Sequence, residues 1–425
     1  MNWLWSPIGM LLVLPAPVLI GSLSLSDETF LEMFGHPVFL TSQLKEIAAL
    51  YFLLIATVAA IAVPSSTTAL ASVRLDAHQQ AWLDRSVRAL TLVTVSSYGV
   101  WFAAAASRGL RFTSILALLE SAPDAMYELR TEYLSTIGGV TTWMQVGALA
   151  VPLAILRSRA GIRRARSIVS TLLLFSLLRA LLNSERLAVI EILISALLAL
   201  LMLRPAVPVL LRRKIVVATL VAGSWVALLL TFGAFEYFRS WSNYRASGGT
   251  GFWVYVSRLL LGYYATALNN AAFDITLLNG RSAPGILFDG NFYTWIFGAS
   301  PIARAQYDYG LTIYTNRSGL LGPSAAFGFL GGGVVLLAMA VLVSVLARRT
   351  RAGSPVALAM YCGSAVGLLE VVRLFYFGTS RFLPVLLAGI VLAITWRLAS
   401  RKRAHDVQGH ASATSLIAMT GVERS

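Results

Sequence analysis

The chain has 425 residues, of which 57% are hydrophobic and 12% charged, with a mean hydropathy of +0.73. A soluble domain of that length does not need repeated uncharged runs of about 20 residues, so the composition excludes a soluble globular protein and indicates a polytopic membrane protein. The formal net charge of +15 does not call for a nucleic-acid partner, because the basic residues cluster in short gaps between apolar runs, where they anchor orientation.

In chain order, ten apolar runs are long enough to cross a bilayer, near 3–23, 44–64, 87–107, 133–156, 167–183, 187–203, 214–235, 324–347, 355–372 and 381–398. The first, MNWLWSPIGMLLVLPAPVLIG, lacks the basic start of a cleaved signal peptide and reads as a span kinked at Pro15 and Pro17. Basic residues fill alternate gaps: Arg74, Arg85 and Arg88, then Arg157 to Arg166, then Arg204 to Lys214, then Arg348 to Arg351, then Arg397 to Arg403. This alternation predicts an all-α protein of about ten transmembrane helices with both termini cytoplasmic. The predicted organisation is spans one to seven over 1–235, one large periplasmic loop over 236–323, spans eight to ten over 324–398, and a disordered tail over 399–425.

On the outer side, 108–132 has Ile115, Leu116, Leu118 and Leu119 beside Glu120, which suits an amphipathic helix. Within the large loop, 251–278 has apolar residues too interrupted to span, which suits a helix lying at the interface. That loop also concentrates arginine (Arg239, Arg245, Arg258, Arg281, Arg304, Arg317) among aromatic residues, including Tyr263 and Tyr264. Guanidinium groups beside flat aromatic faces suit a ligand with phosphate at one end and sugar rings at the other.

Two short outer hairpins add to the set. Arg179 and Arg186 bracket LLRALLNSERLAVIE, and Arg373 and Arg381 bracket LLEVVRLFYFGTSRFLP. The competing explanation for each arginine is snorkelling at a helix end, or pairing with Glu185, Glu191 or Glu370. Taken together, arginines at the membrane edge indicate anion binding. Among carboxylates, Glu236 ends span seven, Glu370 ends span nine, and Glu191 lies about one turn inside span six. Any of them suits proton acceptance from a sugar hydroxyl if burial raises its pKa, and Asp289 and Asp308 in the large loop are alternatives. At spacing i, i+3, Glu370 and Arg373 also suit a plain ion pair.

Other chemistry finds no support in the residues. Cys362 is the single cysteine, and His36, His78, His405 and His410 are too scattered to suggest metal ligation, so neither metal nor cofactor is expected. GLLGPSAAFGFLGGG lacks the GK[ST] ending of a phosphate-binding loop.

Over most of its span pattern the chain resembles the Wzy-type O-antigen polymerases, the oligosaccharide repeat unit polymerases. Locally the resemblance rests on LLNSERLAVIE, on FRSWSNYR followed by RLLLGYYATALNN, on TNRSGLLGPSAAFGFLGGG and on FYFGTSRFLP. It implies a multi-pass enzyme of the bacterial inner membrane that joins undecaprenyl-pyrophosphate-linked oligosaccharides without metal or nucleotide sugar, with a chain-length regulator as a candidate partner. It also implies that Arg186, Arg239, Arg245, Arg258, Arg317, Arg373 and Arg381 hold the pyrophosphate. No base of the family maps onto a matching position here; read from the residues alone, the acceptor sugar meets loop aromatics, Tyr263 and Tyr264 among them, and Glu236 or Glu370 takes its proton. Two alternatives share the lipid: an O-antigen ligase acting on lipid A-core, and a flippase or transporter without chemistry. The nearly charge-free span centres and the single dominant outer loop favour the enzyme over the transporter.

Overall fold

The computed structural model describes residues 2–61, 75–111, 113, 129–159, 165–183, 185–203, 214–246, 249, 251–288, 296 and 316–400. Every element among them is helical, and each of the ten apolar runs forms a helix or a helix pair. Five helices, over Ser42–Ile61, Ala77–Ser107, Arg166–Asn183, Gly322–Arg351 and Phe382–Ser400, are long and apolar enough to cross a bilayer. This is the architecture of a helical membrane protein.

The first run is two helices, α1 (Pro7–Val13) and α2 (Pro15–Leu23), broken where Pro15 removes a backbone donor. Trp225 Nε1 donates at 3.1 Å to the Val13 carbonyl, whose helical partner would be the donor-less Pro17, so that group is satisfied by a neighbouring helix. A short acidic helix, α3 (Asp27–Phe34), precedes α4 (Ser42–Ile61). Helix α5 (Ala77–Ser107) begins ten residues earlier than its apolar run, because Asp76 and Gln79 close a capping box there. The run at 133–156 becomes helical only from a 3-10 turn, Thr141–Val146, which leads into α6 (Gly147–Arg159).

Helices α7 (Ala165–Asn183) and α8 (Arg186–Met202) form a tight hairpin, followed by α9 (Lys214–Arg239) and the short α10 (Trp241–Ala246). Next comes α11 (Phe252–Leu278), a single helix of 27 residues. Its second half is buried in the protein, Tyr264 to Asp274 without interruption, which differs from a helix lying on a surface. Ala265, Ala267, Ala271 and Ala272 explain the difference, since small side chains let its backbone approach α2 and α12 closely. Most of the segment 108–132, expected to hold an amphipathic helix, the tail from 401 on, and most of 289–315 lie outside the described residues.

Helix α12 (Gly322–Arg351) changes direction at Gly328, whose φ of 73° lies in the left-handed region that favours glycine. The carbonyls freed there are taken by neighbours. Ala326 O accepts from Ser282 Oγ at 2.6 Å and from the Ala283 N–H at 3.0 Å, and Phe329 O accepts from Tyr51 Oη at 2.5 Å. The continuous helix therefore runs from Phe329, several residues later than the apolar run. Helices α13 (Pro355–Leu369) and α14 (Phe382–Ser400) complete the chain.

At the centre are α6 and α13. Both are apolar on every side and buried almost throughout, as expected for helices that touch only other helices. Helix α13 packs against α6, α8 and α12, while α4 and α5 cover α12 and α6. The arginines Arg157, Arg159, Arg348, Arg349 and Arg351 lie at one end of this bundle, in the last turns of α6 and α12. At the other end α8 and α12 begin, and α9 and α13 finish.

That second end is fixed by a glycine. A Cβ on Gly319 would sit 2.5 Å from the Leu374 carbonyl oxygen and 2.6 Å from that of Val371, both backbone atoms. Gly319→Ala is expected to cost roughly 1–3 kcal/mol by overpacking, lowering the melting temperature in detergent. Gly223→Ala, whose Cβ meets nothing within 4 Å, should leave it unchanged or raise it.

Candidate anion-binding site

The segments that meet at this end enclose a cavity of about 520 Å³. Its mouth is polar: Arg186 at the start of α8, Asn316 and Arg317 before α12, Glu370, Arg373 and Thr379 after α13, and Arg381 before α14. Its floor is apolar, with Leu187 and Ile190 on α8, Leu228 and Phe232 on α9, and Leu260 on α11. Leu228 lies eight residues before Glu236 on α9, which at 1.5 Å per residue carries the cavity roughly 12 Å into the bundle. The space is amphipathic along the helix axes.

Arg186 donates through Nη2 to the Tyr263 hydroxyl at 2.7 Å and pairs with Glu236 Oε1 at 3.0 Å. Its guanidinium lies 3.9 Å from the Phe232 ring centre and 4.8 Å from that of Tyr263. Glu236 is held in turn: Oε2 accepts from Ser240 Oγ at 2.5 Å, and Ser240 accepts from Tyr255 Oη at 2.6 Å. Arg373 donates to Glu370 Oε2 at 3.0 Å and also faces Tyr263, with 5.3 Å to the ring centre. Because Arg186 and Arg373 share this ring, their Cζ atoms are at most about 10 Å apart. Arg317 is paired with Asp274 on α11.

Arg381 is used differently. Its Nε and Nη2 bond Glu191 at 3.0 and 2.9 Å, and its Nη1 pairs with Glu185. Tyr376 Oη donates to Glu191 at 2.9 Å, and Arg179 donates to Glu185 at 2.8 Å. The Gln145 amide, assigned with its oxygen toward Arg179 and Arg381 and its nitrogen toward Glu191, closes the network. Arg381 thus spends its donors inside the protein. Arg186 Nη1 and Arg373 Nε are buried and have no protein partner among the described residues.

Charge is layered as well. Four arginines and two carboxylates, Glu185 and Glu370, line the cavity. The other three carboxylates, Glu191, Glu236 and Asp274, stand behind the arginines with side-chain exposures of 1, 3 and 0%. The carboxylates behind aim the guanidinium groups, while the exposed layer stays positive. A dianionic phosphate group at the mouth would gain charge-assisted hydrogen bonds of roughly 1.5–3 kcal/mol each.

Of the residues singled out from sequence, Arg186, Arg317, Arg373, Arg381, Tyr263, Tyr264 and Glu370 converge on this one cavity, and Glu236 adjoins it through Arg186. Arg245 and Arg258 are exposed and do not line it; on α11, Arg258 lies on a different face from Tyr263. The Arg239 side chain and all of Arg304 lie outside the described residues. Sequence reasoning missed Gln145 and Tyr376, which nothing in their neighbourhoods marks. Asp274, the carboxylate partner of Arg317, lies 43 residues away in sequence, beyond the reach of any local pattern.

The network predicts unequal sensitivity to substitution. Glu191→Ala removes the two-pronged partner of Arg381 and leaves its buried charge with Glu185 alone, a cost approaching the roughly 3–5 kcal/mol of a broken buried pair. Its folded fraction in detergent should fall sharply. Arg186→Lys and Arg373→Lys, at the cavity surface, should melt close to the parent protein.

Comparison of the chain with protein-family models, with curated proteins and with solved structures found no match in any of the three, so a functional reading rests on the geometry of this cavity.

Proposed function

We propose that the protein is a membrane glycosyltransferase that polymerises oligosaccharide repeats carried on a lipid pyrophosphate, undecaprenyl pyrophosphate in the bacterial inner membrane. In this reading the apolar runs make ten spans, both termini face the cytoplasm, and the cavity opens on the periplasmic side. The observation that supports it most is the pair of buried guanidinium donors, Arg186 Nη1 and Arg373 Nε, without protein partners among the described residues, at a cavity with a polar mouth and an apolar floor. That shape suits an amphiphile whose head is a strong anion and whose tail is hydrocarbon.

The roles follow from position. The donor's pyrophosphate lies across Arg186 and Arg373, with Arg317 at the rim, and its isoprenoid chain runs down past Ile190 and Leu228. As the anomeric C–O bond breaks, negative charge grows on the leaving pyrophosphate, where fixed guanidinium groups stabilise the transition state more than the ground state. The acceptor sugar arrives from the outer side against Tyr263 and the loop aromatics. Arg381 holds the floor of the mouth in shape and makes no contact with the ligand.

The test uses purified protein in nanodiscs with a synthetic lipid-pyrophosphate-linked repeat, read as a glycan ladder. Lysine keeps the charge and loses the planar two-pronged donor. Arg186→Lys and Arg373→Lys should each lower chain growth about 10- to 150-fold, the equivalent of one charge-assisted bond. Arg258→Lys and Arg349→Lys, outside the cavity, should stay within a few-fold of the parent. Equal tolerance at all four positions would end the pyrophosphate assignment, and transfer of a single block to a lipid A-core acceptor would make the protein a ligase. For orientation, reporter fusions at Arg349 and at Gly290 should read on opposite sides, cytoplasmic and periplasmic.

A further inference from the structure

The carboxylates around the cavity are not equivalent, and their hydrogen bonds separate them. Glu185 accepts from Arg179 through one oxygen and from Arg381 through the other. Glu236 faces Arg186 with Oε1 and accepts from Ser240 with Oε2, and it does not line the cavity. Glu191 and Asp274 are buried behind their arginines. Glu370 lines the cavity, bonds Arg373 through Oε2 alone, and its Oε1 has no partner among the described residues.

From this we infer that Glu370 is the catalytic base of the proposed transfer, and that Glu236 is a positioning residue for Arg186. The inference rests on the lipid-pyrophosphate reading above. The acceptor sugar's hydroxyl oxygen forms a bond to the donor's anomeric carbon. The bond between that carbon and the phosphate oxygen breaks, its electron pair leaving with the pyrophosphate. The hydroxyl proton passes to Glu370 Oε1. Arg373 then serves both partners: its Nη1 bonds Glu370 Oε2, and its Nε, without a protein partner among the described residues, is left for the leaving group. Such coupling of base and leaving-group stabiliser in one ion pair requires the i, i+3 spacing that places Glu370 and Arg373 side by side.

The charged and titratable groups around Glu370 are Arg373 on its own segment, Tyr263 and Tyr264 from α11, Arg186 and Glu191 from α8, Glu185 just before α8, and Arg317 and Arg381 across the cavity. Loss of polymerisation on the acid side of the pH profile is the signature that separates a base from a positioning residue.

The experiment is a pH profile of kcat and KM on the full chain in nanodiscs, with the lipid-pyrophosphate-linked repeat as donor. Glu370→Gln should lower kcat by about 100-fold or more, within the range for a general base, and should flatten the acid limb while still binding the lipid-pyrophosphate. Glu236→Gln should raise the donor KM and keep the acid limb. Glu370→Asp, which retains a carboxylate, should recover part of the rate and restore the limb. The inference is overturned if Glu370→Gln keeps both rate and acid limb, or if the limb disappears in Glu236→Gln instead. A variant that fails to bind the lipid is judged by Glu370→Asp, where a missing limb would also overturn it. A parent protein that binds the lipid and never extends the glycan would remove the polymerase reading itself, which is a separate result.

Discussion

The ion-pair network beneath the cavity is what the rest of this structure depends on. A guanidinium group in an apolar bundle is costly, by several kcal/mol even after relaxation, unless a carboxylate is brought to the same place with good geometry. Here Glu191 and Glu185 are supplied from α8 and the turn before it, Arg179 from α7, Arg381 from the start of α14, Tyr376 from the turn after α13, and Gln145 from before α6. These segments are far apart in sequence and must meet for any of them to be satisfied. The network therefore sets the relative positions of the helices that form the cavity mouth. Arg186 and Arg373, beside the cavity, each keep a buried donor without a protein partner among the described residues.

A division of labour among arginines follows from this. The same residue type is a tie where every donor is used, as in Arg381, and a ligand group where some are not, as in Arg186 and Arg373. Tyr263 connects the two ligand arginines by offering its ring to both and its hydroxyl to one. Its place on α11 is secured by the buried second half of that helix, which small residues press against α2 and α12.

Much of the fold was legible because hydrocarbon thickness imposes runs of about 20 residues, and each such run proved helical. Boundaries were less legible where local chemistry overrides hydropathy. The capping box at Asp76 extends α5, and Gly328 divides α12 with help from Tyr51 and Ser282 that no local pattern reveals. The site was readable wherever an arginine stands at the edge of an apolar run, as with Arg186, Arg373 and Arg381. It was unreadable where the decision depends on which face of a helix turns inward. Arg258 and Tyr263 lie five residues apart on α11, yet only Tyr263 lines the cavity, because α11 is apolar on more than one side. Pairs such as Arg317 with Asp274 join the start of one helix to the middle of another, and only the folded chain brings them together.

The central claim is that Arg186 and Arg373 together hold one pyrophosphate. The most direct measurement is a cryo-EM structure of the protein in nanodiscs containing undecaprenyl pyrophosphate. The account predicts phosphate density between these two arginines, within hydrogen-bond reach of Arg186 Nη1 and Arg373 Nε, with the lipid chain descending past Ile190 and Leu228 and Arg381 still on Glu191. Lipid headgroup density elsewhere on the protein, with an unoccupied cavity at saturating lipid, would contradict it.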